Sequence, residues 1–119
     1  MSLFVSFAWT IKPFLANAKD MTRRYWKTVH AERFAPDMIV NAFDKLPYAH
    51  GKKIGEIKIT KKPYQQRTGL MTELDYKREG LLWMEQNNIS IHGEKPRTFF
   101  EDWKKKDDLV WVLEFERIE

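Results

Sequence analysis

Apolar and polar positions along this chain follow two different periods. Residues 4–9 (FVSFAW) form a continuous apolar run, which predicts a buried strand. Ile11, Phe14 and Leu15 follow at i, i+3 and i+4, one face of a short helix with Pro13 in its first turn. Asn17 is placed to stop that helix, because asparagine tolerates the left-handed backbone of a C-terminal cap. The segment NAKDMTRR is then expected as a loop that leaves a helix and enters a strand.

Residues 38–44 (MIVNAFD) have strand composition, with APD and KLP as punctuation on either side. Residues 52–62 (KKIGEIKITKK) alternate, with Gly55, Ile57 and Ile59 on one face. Ile54, Glu56, Lys58 and Thr60 take the other, charged and wet face. Residues 72–80 (TELDYKREG) predict a helix capped by Thr72 and stopped by Gly80, and LLWMEQNN a second short one. Residues 96–106 place Phe99, Phe100 and Trp103 at helical spacing, with Pro96 at the start and lysines at the negative end of the dipole. Residues 108–118 give the clearest strand, where Leu109, Trp111, Leu113 and Phe115 alternate with Val110, Val112, Glu114 and Glu116. The order predicts an α+β fold: one domain whose small, mostly antiparallel β-barrel is flanked by short helices. The strand at 108–118 is expected to be central, with both terminal strands near each other in the sheet.

Composition narrows the function classes. At 119 residues the chain is one domain's worth, and 8 Phe, 4 Tyr and 5 Trp supply a core. The absence of cysteine excludes disulfides and thiolate zinc sites and suits a cytoplasmic setting. No apolar run reaches membrane-spanning length, and the opening run lacks the basic leader of a secretion signal. His30, His50 and His92 share no ligand spacing and no glycine-rich phosphate loop is present, so neither a metal nor a cofactor is expected. The formal charge of +4 is unevenly spread: residues 1–62 carry 12 Lys/Arg against 5 Asp/Glu, whereas residues 63–119 carry 9 against 12. The basic first half is suited to face a polyanion.

The densest chemistry is in residues 17–27 (NAKDMTRRYWK). Lys19, if enclosed beside Arg24, has its pKa lowered by a like charge and partial desolvation and can act as a base; otherwise it holds phosphate. Thr22 is a strand residue, a hydroxyl donor to a ligand, or a nucleophile if a base lies beside it. Arg23 and Arg24 point to opposite faces of an extended segment, so one of them faces a cleft and the other lies in solvent or at a phosphate rim. Tyr25 is available to stack on a base, while Trp26 belongs to the core. Lys58 and Lys61, with the neighbouring lysine pairs, form a stripe that could track a nucleic-acid backbone.

FLANAKDMTRRYWK resembles the opening motif of ASCH domains, part of the PUA-like superfamily, whose pattern is roughly Gly-x-Lys-x-x-Thr-x-Arg after a first helix. Lys19, Thr22 and Arg24 match it, and Asn17 stands in place of the glycine. RFAPDMIV, KIGEIKIT, REGLLWME and DLVWVLEFERI resemble later pieces in the family's order, with Asp37 after Pro36 in place of a glycine and Leu81 in place of an aromatic. The resemblance implies a small β-barrel with a cleft over one mouth that binds RNA or a modified nucleoside. Some members are amidohydrolases acting on acylated cytidine through the motif Lys, the Thr and a later Glu; others are described as ribonucleases. Carried onto this chain, the pattern selects Arg24 as the cleft arginine and favours Glu79 as the carboxylate, with Glu73 and Glu85 as alternatives. Three classes stay open: a nucleic-acid or nucleoside binder, a hydrolase using Lys19, Thr22 and Glu79, and a protein-interaction domain in which Arg24 and Glu79 merely pair.

Overall fold

The computed structural model describes residues 3–118. The fold is α+β. Six strands, β1 (Phe4–Ser6), β2 (Met21–Arg24), β3 (Ile39–Phe43), β4 (Lys53–Ile59), β5 (Tyr64–Arg67) and β6 (Leu109–Arg117), make one curled sheet, a half-barrel. Five helices accompany it: α1 (Ile11–Leu15), α2 (Thr28–Ala31), α3 (Glu73–Arg78), α4 (Leu81–Gln86) and α5 (Pro96–Lys106). The strand order is β1-β3-β4-β6-β2, with β5 also on β6. Only β1 and β3 run parallel; every other named pair is antiparallel.

The long strand β6 is the axis, pairing with β4, β5 and β2 along its length. Its alternation explains why: Val110, Val112, Leu113 and Phe115 are buried, so both faces near its middle are covered. The two terminal strands are not sheet neighbours, because β3 and β4 lie between them. Contact between the first and last strand regions is made instead across the barrel interior, where the rings of Phe7, just after β1, and Phe115 of β6 are 5.6 Å apart.

The apolar run at 4–9 does not stay a strand to its end. The strand ends at Ser6, the N–H groups of Phe7 and Ala8 still donate to the carbonyls of Phe43 and Asp44, Ala8 takes a left-handed φ of 44°, and Ala8–Thr10 coil into a tight helical turn. The hydroxyl of Thr10 donates to the Phe7 carbonyl at 2.8 Å and fixes that turn. Trp9 is thereby carried out of the barrel and onto the helices. Two elements are invisible to apolar periodicity: β5, whose YQQR is polar, and the single-turn α2.

Two hydrophobic clusters result. One fills the half-barrel with Phe7, Phe14, Phe34, Ile57, Ile59 and Phe115. The other joins α3, α4 and α5 through Tyr76, Leu81, Met84, Phe100 and Trp103. Helix α3 opens with a reciprocal cap, the Thr72 hydroxyl accepting from Asp75 N and the Asp75 carboxylate accepting from Thr72 N. It hands over to α4 at Gly80, whose φ of 93° suits glycine. That joint places Glu79, the last residue before the glycine, against the half-barrel.

Candidate functional site

Helix α1 ends as its sequence predicts, with Asn17 left-handed at φ 57°. Asn17 N donates to the Phe14 carbonyl at 3.0 Å and Ala18 N to that of Pro13 at 2.8 Å. Asp20 then ties the loop on both sides, donating to the Arg78 carbonyl and accepting from Phe115 N, each at 3.0 Å. Held this way, Lys19 points inward and is 3% exposed. Its ammonium donates to the carbonyls of Met21 (2.8 Å) and Glu79 (2.9 Å) and to Glu79 Oε1 (3.0 Å). Three acceptors match the three hydrogens of an ammonium. Burial lowers the Lys19 pKa to about 8; Glu79 opposes that shift, and Arg24 and Arg23 add to it. Desolvation, more than the like charge, is the cause.

Glu79 is clamped on both oxygens. Oε1 takes Lys19, and Oε2 takes Arg23 Nη1 at 2.7 Å. Arg23 therefore is not at a solvent or phosphate rim. It is 3% exposed, donates to Gln66 Oε1 at 2.7 Å, and pairs with Asp75 at 3.1 Å. Arg23 and Arg24 do point to opposite faces of β2, but the face that carries Arg23 is covered by the α3 region and β5 instead of water. Its Nε is the single buried side-chain polar atom without a partner among the described residues.

Thr22 and Arg24 share the other face of β2. Arg24 Nη1 donates to the Thr22 hydroxyl and to the Arg23 carbonyl at 2.8 Å, and Nη2 donates to the Ser6 carbonyl at 2.6 Å. This guanidinium thus spans β2 and β1, the two ends of the strand order, and closes the open seam of the half-barrel. Lys19 Nζ and Arg24 Cζ each lie 5.9 Å from the centroid of the Phe7 ring. Burial lowers the Arg24 pKa, and Glu79 opposes that.

Lys19, Thr22, Arg24 and Glu79 line one cleft of about 680 Å3 between the half-barrel and α5. Its other wall is aromatic and was not foreseen as a site. Trp9 meets Phe99 edge-on at 5.0 Å, Phe99 meets Trp103 at 5.8 Å, and Trp103 Nε1 donates to the Tyr25 hydroxyl at 2.9 Å. That hydroxyl in turn donates to Asp108 at 2.9 Å, so Tyr25 is pinned at its tip while 64% exposed. Burial, outweighing the Trp103 contact, raises its pKa, and Asp108 adds to that. On α5, Phe99, Asp102, Trp103 and Lys106 are the cleft-lining positions, at helical i, i+3, i+4 and i+7 spacing. The same aromatic spacing is visible in sequence, where it reads as core.

Other residues singled out from sequence lie elsewhere. Lys58 faces Asp37 at 3.6 Å, and Lys61 sits over the Tyr64 ring at 4.7 Å; neither lines the cleft. The alternatives Glu73 and Glu85 are engaged by Arg97, at 2.7 and 4.0 Å, outside it. Trp26 stacks on Phe34 at 4.7 Å against the core. Among the described residues no group of three or more His, Cys, Asp or Glu is placed to hold a metal ion. Nor, among them, is any helix long and apolar enough to cross a membrane.

No protein-family model matches the chain, and no curated protein does. Among solved structures it is similar to protein EF3133 from Enterococcus faecalis V583, described as family-model DUF984. The TM-score is 0.60 at 15% identity, covering 99% of this chain and 80% of that one. At that identity what the two share is the fold, a curled sheet with short helices.

Proposed function

We propose that this chain is an ASCH-type, PUA-like module of the cytoplasm whose cleft binds a modified nucleoside, free or as one flipped nucleotide of RNA. The observation that carries the reading is the convergence of Lys19, Thr22, Arg24 and Glu79, drawn from a loop, a strand and a helix, opposite an aromatic wall in one cleft. About 680 Å3 suits a nucleoside-sized ligand. A base would lie along Trp9, Phe99 and Tyr25 and present acceptors to Arg24 and Thr22. The test is titration of wild type and Arg24→Ala with modified nucleosides and short RNAs. Saturable wild-type binding that the variant weakens at least about tenfold supports the reading; no binding to any of them rejects it. In the RNA arm, Lys58 and Lys61 would track the backbone, and affinity would fall as salt rises.

A second reading is hydrolysis of an acyl amide on a nucleoside, favoured by the Lys19 pKa of about 8, which leaves a minor neutral fraction at pH 7. Lys19 would take the Thr22 proton as Thr22 Oγ1 attacks the acyl carbon and would return it to the nucleoside nitrogen as the C–N bond breaks, so that the neutral amine leaves; water would then hydrolyse the acyl-Thr22 ester, releasing the acid and restoring the hydroxyl. Glu79 would keep Lys19 in place. Incubation with acylated nucleosides separates the readings: free nucleoside appears only if the cleft is catalytic.

A further inference from the structure

The cleft is charge-separated from floor to mouth. At its inner end the lining residues Lys19, Arg23 and Arg24 stand against two carboxylates, Glu79 in the lining and Asp75 behind Arg23, which leaves one positive charge in excess. All three Lys19 hydrogens and the outer nitrogens of Arg23 are committed to protein acceptors, so little is left to grip a phosphate there. At the mouth the balance reverses. Asp102 and Glu94 are exposed and line the cleft, and their carboxylates make no hydrogen bond or ion pair among the described residues; Lys106 is the one cation that lines the cleft at this end.

The same cleft is lined by a chain of touching rings. Trp9 meets Phe99 at 5.0 Å, Phe99 meets Trp103 at 5.8 Å, and Trp103 is hydrogen-bonded to Tyr25. A ring presents its negative face to a ligand lying over it, and such faces attract cations, more strongly as water is excluded. Carboxylates alone, in full solvent, attract a cation weakly and are screened by salt. Together with an aromatic wall inside a cleft, they favour positive charge spread over a flat ring.

Resting on the nucleoside reading above, we propose that the outer half of the cleft selects a planar cation, such as an N-methylated, positively charged nucleobase. The cationic ring lies along Trp9, Phe99 and Tyr25 with its charge toward Asp102 and Glu94, and its carbonyl edge turns inward to Arg24 and Thr22. The same negative mouth repels a phosphate emerging from the ligand on that side.

The test uses two matched pairs at low salt, read by tryptophan fluorescence quenching. One pair is 1-methylnicotinamide against neutral nicotinamide; the other is 7-methylguanosine, at a pH where its ring is cationic, against guanosine. The cation is expected to bind at least about fivefold tighter in each pair. In Glu94→Gln/Asp102→Asn the ratio is expected to fall at least about twofold, leaving only the part that the rings supply. A preference in the nicotinamide pair with no nucleoside bound keeps the planar-cation site and overturns the nucleoside reading. Nucleosides bound with no preference for the cation, or a preference the double variant does not lower, overturn the planar-cation site alone. No binding of any of the four overturns both.

Discussion

Lys19 and Glu79 are 60 positions apart in sequence and 3.0 Å apart in space, with side chains 1% and 3% exposed. Removing one partner strands the other charge in the interior, along with Arg23. Glu79→Gln is therefore expected to destabilise the protein by about 3–5 kcal/mol, and Lys19→Met/Glu79→Gln by clearly less than the two single changes added together. Urea unfolding of the four proteins measures this. Additive losses would mean that the pair is not energetically coupled.

The same lysine makes stability depend on pH. Its native pKa is about 8 against an ordinary 10.5. Below pH 8 native and unfolded chains both hold the proton, and the native state bears the full cost of burying the charge. Between the two values the unfolded chain binds more protons, so stability rises with pH, by up to about 3 kcal/mol. Tyr64, whose pKa burial and Glu114 push up to about 12, works in the opposite sense once unfolded tyrosine ionises near pH 10. Urea midpoints should thus climb from pH 8 to about 10 and then turn down. In Lys19→Met the climb should be absent; a climb of equal size there would assign it to another group.

Gly80 joins α3 to α4 at φ 93°. A β-carbon there would lie 2.7 Å from Pro13 Cβ and 3.3 Å from Lys19 Cβ. The ring of Pro13 cannot swing aside, and an alanine also resists this φ, so Gly80→Ala should cost about 2–4 kcal/mol. Because the clash pushes on Lys19, nucleoside binding should weaken as well. A thermal midpoint within a degree or two of wild type would contradict the packing at this joint.

Arg24 links Ser6 to Thr22 across the seam. Arg24→Lys keeps the charge and loses the planar fork, so it cannot make both bonds in the same geometry. Faster amide exchange at residues 4–6 is expected, together with a stability loss of about 1–2 kcal/mol. Unchanged exchange there would show that the parallel pairing with β3 alone holds β1.

The parts legible in sequence were those governed by local rules. The Asn17 cap, the Thr72 cap, the Gly80 stop and the alternation of β4 from Glu56 to Ile59 all depend on a few adjacent residues and stand as expected; Ile54, expected on the wet face, packs on the core instead, where the register with β3 shifts. Lys19, Thr22, Arg24 and Glu79 were brought together by family likeness, and their meeting place is the cleft. What could not be read was set by distant partners. Arg23 looks like a surface cation until Asp75, Glu79 and Gln66 arrive from α3 and β5. The polar β5 is a strand because β6 supplies its ladder. Trp9 stands in an apolar run that reads as strand, and only the left-handed turn at Ala8, which no glycine announces, swings it to the cleft.

The pairing of β6 has a consequence for the order in which the protein takes shape during synthesis. Strands β1, β3 and β4 can pair among themselves, but among the described residues β2 and β5 have no sheet partner other than β6. Met21 waits for Glu114, 93 positions later. The strand carrying Thr22, Arg23 and Arg24 is therefore among the first made and the last to be docked. Until residues 109–117 leave the ribosome its cations have no cleft, and the site stays unassembled while the other five strands are made.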